Sequence, residues 1–319
     1  MKILITGFSG FVSRHFIDYL EDHKIKSEIL GVDINPPGYN YNDLKLSHVR
    51  FEQVDLLNTG KLENIIYTFQ PDYILHLASY SSVGFSWKNP SLSFRNNINI
   101  FLNLMEIVRE VSPCCRVLSV GSSEEYGNVD ESMLPLREEY FLKPVSPYAV
   151  ARVSQEHLSR VYCDGFGLDV VMTRSFNHMG PGQKDIFVVS SFAKQLVEIK
   201  KGIRKDAVLI TGDTSVIRDF LDVRDVVDAY YKLLKSGLRG EVYNICSGQG
   251  IALQQLIITM CEILDLEVKL EVDNNLIRPN DNMIIVGSNE KLKNTTEWIQ
   301  KIPLYQSLND LINYWIERT

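Results

Sequence analysis

The segment ILITGFSGFVSRHFIDYL (Ile3–Leu20) runs from an unbroken β-favouring stretch through two closely spaced glycines into apolar residues at helical spacing. A strand, a tight turn and a helix in so short a span open a βαβ unit. Gly7 and Gly10 occupy the first two places of a GxxGxxG pattern, and Ser13 takes the third. Gly7 permits the tight turn, and Gly10 lets a pyrophosphate approach the backbone amides at the helix N-terminus. The third place needs a small residue for helix–strand packing, which serine only partly replaces.

Beyond this turn the same alternation continues. Strands are predicted at Lys2–Thr6, Ile29–Asp33, Val49–Val54, Tyr73–Leu77, Arg116–Val120 and Asp169–Arg174, and helices near Gly10–Glu21, Gly60–Phe69, Asn97–Val111 and Tyr148–Phe166. The strand cores are almost wholly apolar, as in a parallel sheet covered by helices on both faces. The expected fold is therefore α/β, a doubly wound parallel Rossmann sheet with a smaller C-terminal substrate-binding region. After Arg174 the pattern becomes irregular: FNHMGPGQ, a helix near Val188–Lys200, a strand-like LITGD, RDFLDVRD opening another helix, a strand EVYNI and a helix near Leu253–Leu264. Residues 1–173 and about 217–247 are assigned to a dinucleotide-binding domain, and about 174–216 and 248–319 to a nucleotide-sugar-binding domain. Open α/β sheets bind ligands beyond the carboxyl ends of their strands.

Asp33 ends the second strand, where a carboxylate accepts hydrogen bonds from the adenosine ribose hydroxyls. Asp55, in VDLLN after the third strand, suits an adenine contact. A strand-end carboxylate or helix cap would explain either residue alone; with the glycine turn they point to a dinucleotide, NAD(H) or NADP(H).

The 319 residues carry a formal charge of −7, which argues against nucleic acid as a partner because a phosphate backbone needs a concentrated basic surface. No run approaches the ~20 apolar residues of a membrane span, and the N-terminus enters a strand with no room for a signal peptide. The five cysteines show neither metal-ligand spacing nor a disulfide framework. His76, His157 and His178 likewise lack ligand spacing, so no metal is assigned. A cytoplasmic enzyme with no membrane association is expected.

After the fifth strand comes VGSSEEYG, and some way downstream SPYAVAR. With TGFSGF, HLAS, FNHMGPGQ and RDFLDVRD, these segments make the chain resemble the extended short-chain dehydrogenase/reductases over nearly its whole length. FNHMGPGQ, YNICSGQG and RPN with the later VGSN are most similar to the GDP-6-deoxy-4-keto-mannose reductases that form GDP-rhamnose. The resemblance implies that Ser122 holds the sugar oxygen, that Tyr148 is the catalytic tyrosine, and that Arg152 stands where the family normally has lysine. Positions i and i+4 share a helix face. A 4-keto sugar accepting hydride develops alkoxide character, so a phenol must supply a proton. An ordinary tyrosine has a pKa of ~10, and an adjacent cation stabilises its phenolate. Arginine keeps the charge but not the compact shape of an ammonium, which puts the usual lysine bond to the nicotinamide ribose in doubt.

For the cofactor the resemblance implies contacts from Gly7, Gly10, Phe11, Asp33, Asp55 and Leu56, and further along from Leu77, Ala78, Asn97, Tyr148 and Arg152. On the substrate side it implies Ser82, Ser122, Asn177 and Lys194, with Arg218 and Arg278 clamping the diphosphate through bidentate pairing. Asp219, Asp222 and Asp225 read as capping or structural carboxylates. The implied reaction is reduction of the C4 keto group of a GDP-4-keto-6-deoxy-hexose by a homodimer. Two alternatives stay open. Glu124 matches the glutamate that removes the C5 proton in related 4,6-dehydratases, and Arg152 would also fit a non-catalytic protein that binds a dinucleotide and a sugar nucleotide.

Overall fold

The computed structural model describes residues 1–277 and 282–319. Seven strands form the central sheet: β1 (Lys2–Thr6), β2 (Glu28–Asp33), β3 (His48–Gln53), β4 (Tyr73–His76), β5 (Arg116–Ser122), β6 (Asp169–Ser175) and, after three strands of the smaller region, β10 (Val242–Ile245). Their order is β10-β6-β5-β4-β1-β2-β3 and every pairing is parallel. The strand order reverses between β1 and β4, the switch point at which such sheets bind ligands.

Helices cover both faces. On one side α2 (Thr59–Phe69), α4 (Pro90–Val111) and α5 (Pro147–Phe166) bury Leu62, Ile66, Phe101, Leu104 and Tyr162 against Leu4, Ile74 and Val117. On the other, α1 (Phe11–Asp22) and α7 (Val223–Ser236) bury Phe16, Ile17, Val226, Val227 and Tyr230 against Ile3, Ile5, Leu75 and Leu118. Alternate residues of β1 thus enter opposite cores, which is why its run is apolar throughout. A short α3 (Val83–Lys88), which the sequence reading did not separate, precedes α4.

The smaller region contains β7 (Asn177–Met179), β8 (Val208–Thr211), β9 (Ile217–Asp222), β11 (Gly250–Ala252), β12 (Lys269–Val272) and β13 (Ile284–Ile285). Strand β9 pairs with β11, β13 and β7, while β12 pairs with β8. Around them α6 (Val188–Lys200), α8 (Leu253–Leu264) and α10 (Leu304–Ile316) build a third core on Leu196, Phe192, Leu256, Met260 and Leu308; α9 (Glu290–Thr296) packs near α7.

RDFLDVRD does not open directly as a helix. Its first half is β9, and α7 starts only at Val223. Asp222 marks the change, because its Oδ1 accepts the Arg224 amide at 2.8 Å as the cap of α7 while Oδ2 accepts the Ser307 hydroxyl at 2.6 Å. Within 217–247, β9 therefore lies in the small sheet, and only α7 and β10 join the central layer. Asp219 accepts the amides of Ser247, Gly248 and Gly287, and Asp225 those of Lys301 and Ile302. Asp219 thus ties the loops after β10 and β13 to β9, and Asp225 ties the segment before α10 to α7.

Candidate active site

Gly7 has a φ of +72°, and a Cβ there would stand 2.8 Å from the Ala78 amide nitrogen, so the turn between β1 and α1 admits only glycine. Helix α1 begins with Gly10 as its N-cap, with no side-chain cap and no acidic residue in its first turn. Its leading amides and the positive end of its dipole are therefore left for an anion. Leu77 and Ala78 lie alongside, their amides donating to the Thr6 carbonyl at 3.2 Å and the Thr6 hydroxyl at 3.3 Å. Phe11 stacks on His178 with ring centres 5.8 Å apart, joining the turn to β7.

Asp33 sits at the end of β2, its Oδ2 accepting the Ser9 amide and its Oδ1 the Asn35 amide, each at 3.0 Å. Asp55 is exposed and accepts the Leu57 amide at 2.9 Å, beside buried Leu56. Asn97 is buried and used on both sides: Oδ1 accepts the Tyr80 amide at 2.8 Å and Nδ2 donates to the Tyr80 carbonyl at 3.2 Å. It shapes the loop after β4. Together these residues form a surface at the switch point with a helix N-terminus, an apolar wall and an edge carboxylate, and this fits a dinucleotide.

Ser146 caps α5 through the Ala149 amide at 3.1 Å and Pro147 starts its first turn, which sets Tyr148 at the helix head. One turn on, Arg152 Nε donates to the Tyr148 hydroxyl at 3.2 Å, and the guanidinium lies 5.2 Å from the centre of the tyrosine ring. Both residues are buried. Arg152 also donates to the Val120 carbonyl at 3.0 Å, to Gln155 Oε1 at 2.6 Å and to Ser79 Oγ at 2.5 Å. Arg152 is thus no solvated helix residue. Neither Ser79 nor Gln155 stood out in the sequence, although Gln155 lies three residues beyond Arg152 on one helix face. His76 lies beneath, fully buried against Phe101. Burial, with the Arg152 charge acting the same way, holds its imidazole down at about 3.

Ser122 ends β5, and its Oγ accepts the Glu124 amide at 3.3 Å. Its own amide donates to Glu125 Oε1 at 2.7 Å. A side chain at Gly121 would strike both that oxygen and the Thr173 carbonyl, so the glycine makes room for Glu125. Behind Glu125, Glu156 accepts two bonds from Arg174, at 2.8 and 2.9 Å, and one from Arg160 at 3.1 Å. Burial pushes the Glu125 carboxyl well above the usual range, and the Glu156 charge adds to this. Burial opposes ionisation of Glu156 as well, but Arg174 and Arg160 outweigh it and carry that group downward. This paired layer supports the Ser122 turn and was not read from the sequence. Glu124 is in the turn itself, between Ser122 and the buried Tyr126.

On the substrate side, Ser82 caps α3 by accepting the Phe85 amide at 3.2 Å. Asn177 is exposed at the start of β7. Arg218 is buried in β9 and donates to the Ile217 carbonyl at 2.9 Å. Lys194 pairs with Asp185 at 2.6 Å and lies 5.3 Å from the centre of the Trp315 ring, so reaching a nucleotide requires exchange of that pair. Arg278 lies outside the described residues. Among the described residues no group of His, Cys, Asp and Glu is placed to hold a metal, and no helix is long and apolar enough to cross a membrane.

The parallel sheet, the glycine turn and the Tyr148–Arg152 helix define an extended short-chain dehydrogenase/reductase. Within that class the chain belongs to the GDP-mannose 4,6 dehydratase family, whose family model matches residues 4–311. It is similar to the GDP-6-deoxy-D-mannose reductase of Pseudomonas aeruginosa, 33% identical over 317 residues that cover 99% of this chain and 98% of the relative. It is also similar to the GDP-6-deoxy-D-talose 4-dehydrogenase of Aggregatibacter actinomycetemcomitans, at 29% identity over 92% of this chain and 90% of the relative. Among solved structures, that of RMD from P. aeruginosa complexed with NADPH matches with a TM-score of 0.86 at 32% identity, covering 99% of both chains. The UDP-glucose 4-epimerase of Thermotoga maritima with UDP-glucose matches with a TM-score of 0.88 at 25% identity, covering 100% of this chain and 99% of the other.

Proposed function

We propose that the protein is an NAD(P)H-dependent nucleotide-sugar 4-ketoreductase that reduces the C4 keto group of a GDP-4-keto-6-deoxy-hexose, giving GDP-D-rhamnose or a close relative. The observation that carries this reading is the buried Tyr148–Arg152 pair at the head of α5, in a chain that matches a GDP-6-deoxy-D-mannose reductase from end to end.

The amides at the start of α1 hold the cofactor pyrophosphate, Asp33 takes the adenosine ribose, and Phe11, Leu56, Leu77 and Ala78 line the apolar wall. When bound, the nicotinamide supplies the hydride. As negative charge grows on the sugar O4, Tyr148 transfers its hydroxyl proton to that oxygen. Ser122 donates a hydrogen bond to the same oxygen and fixes its direction. Arg152 stabilises the phenolate left on Tyr148. The GDP moiety is held by Arg218 and Asn177, with Lys194 and Arg278 at its margin. The cofactor is carried by the central layer and the nucleotide sugar by the smaller region, with the change of unit at Asp222.

We further propose a homodimer through α4 and α5. These helices pack on each other and leave Leu92, Phe94, Val150, Val161 and Phe166 exposed, apolar positions that a second copy would cover. All five cysteines are unpaired, in keeping with a cytoplasmic location.

Glu124 beside Ser122 is the observation that favours the other reading, a 4,6-dehydratase. A dehydratase recycles its cofactor, whereas a reductase consumes it. Incubation with GDP-4-keto-6-deoxy-mannose and reduced cofactor is expected to oxidise one cofactor per sugar, and GDP-mannose alone is expected to be unchanged. A 4-keto product from GDP-mannose without net cofactor consumption would overturn the proposal.

A further inference from the structure

A guanidinium has five N–H groups in a fixed plane, and four contacts of Arg152 are formed within the protein. They reach the Tyr148 hydroxyl, the Val120 carbonyl, Gln155 Oε1 and Ser79 Oγ. None of these acceptors carries a charge. Through these contacts the arginine is held by neutral groups, which leave its field at Tyr148 uncancelled.

The shortest of the contacts to an uncharged side chain of α5 is to Gln155, itself 1% exposed. Its amide cannot turn over without loss. Nε2 donates to Ser119 Oγ at 2.9 Å and to the Val120 carbonyl at 3.2 Å, which leaves Oε1 facing the guanidinium. Ser159 donates its one hydroxyl proton to the Gln155 carbonyl at 2.9 Å, and its Oγ lies 3.2 Å from Ser119 Oγ, from which it can then accept. Reversing the amide would set its NH2 group against the guanidinium and its oxygen against the Val120 carbonyl. The chain Ser159–Ser119–Gln155 is thus a one-way brace behind Arg152.

We propose that Gln155 is a positioning residue that holds the Arg152 guanidinium against Tyr148, and that this brace makes the site specific for arginine at position 152. A lysine there, with its compact three-donor head, cannot reach Tyr148, Ser79, Val120 and Gln155 together. It would leave Gln155 Oε1 buried without a partner, which is costly.

The activity arm of the test rests on the ketoreductase reading; the unfolding arm does not. Four proteins are compared: the parent, Gln155→Leu, Arg152→Lys and the double variant. Gln155→Leu and Arg152→Lys are each expected to lower kcat by about 10- to 100-fold, the size of a misplaced catalytic group, with KM for the keto sugar within about threefold of the parent. The double variant is expected to be no slower than the slower single one, because the two side chains act as one unit. The same non-additivity is expected in the thermal unfolding midpoints of the ligand-free proteins. Should Gln155→Leu fail to fold, Ser119→Ala removes the anchor behind the amide and is expected to lower kcat in the same direction, at unchanged KM. Full activity of Arg152→Lys, losses that multiply in the double variant, or an unaffected kcat in Ser119→Ala would each overturn the proposal. If the parent itself shows no turnover, the ketoreductase reading fails, and the unfolding cycle alone decides the role of Gln155: coupled midpoints uphold it and additive ones overturn it.

Discussion

Glu125 accepts the Ser122 amide at 2.7 Å from a fully buried position, so Ser122, the proposed orienter of the sugar oxygen, hangs from a carboxyl group with no access to water. Burial, and next the charge on Glu156, raise the pKa of Glu125 in the folded chain above its unfolded value. A group shifted upward contributes stability that is fully present below its unfolded pKa and lost as pH rises through the folded one. Glu125→Gln keeps an oxygen for the Ser122 amide and removes the ionisation. The thermal midpoint of Glu125→Gln relative to the parent is therefore expected to rise as pH increases above the ordinary carboxylate range. A difference that stays flat or shrinks as pH increases would contradict the account.

Arg14 is committed elsewhere than to a cofactor phosphate. Its Nε donates to both oxygens of Asp18, at 2.7 and 3.0 Å, and its guanidinium lies 5.5 Å from the centre of the Tyr39 ring. With Asp33 proposed to take the adenosine ribose, where its charge would repel a 2′-phosphate, NADH is expected to be used at least as well as NADPH, judged by kcat/KM. Asp18→Ala frees Arg14 and is expected to move that ratio toward NADPH by up to about fivefold, the worth of an exposed ion pair. A clear preference for NADPH in the parent would refute the Asp33 assignment.

Gly7→Ala combines a left-handed backbone with a Cβ that would meet the Ala78 nitrogen at 2.8 Å. A loss of about 1–3 kcal/mol is expected from the conformation alone, with more from the contact. Denaturant unfolding measures the first effect and cofactor titration the weakened affinity that accompanies it. An alanine variant with parental stability would show that the turn relaxes and that glycine is not required there.

The central layer was legible because its strands, apart from the largely exposed edge strand β3, are buried on both faces and its helices are amphipathic, so period and composition agree. Tyr148, Arg152 and Ser122 were legible as a motif with a chemical reason. The remainder depends on tertiary contacts that leave no periodic trace. Ile217–Asp222 reads as the approach to a helix until β7, β11 and β13 are in place to pair with it. The use of both ends of the Asn97 amide by the Tyr80 backbone likewise follows from the fold alone. Gln155 and Glu125 were passed over because a polar residue on a helix or a turn is usually solvated, and only the fold buries these two.

The assignment of Tyr148 as proton donor stands or falls on one comparison. The parent and Tyr148→Phe, both shown to be folded and to bind reduced cofactor, are given the GDP-4-keto-6-deoxy sugar and cofactor in excess, and cofactor oxidation is followed. The parent is expected to turn over and the variant to be slower by about 10²- to 10⁴-fold, the usual contribution of a positioned general acid, with cofactor affinity nearly unchanged. Equal rates in the two proteins, whether zero or not, would contradict it.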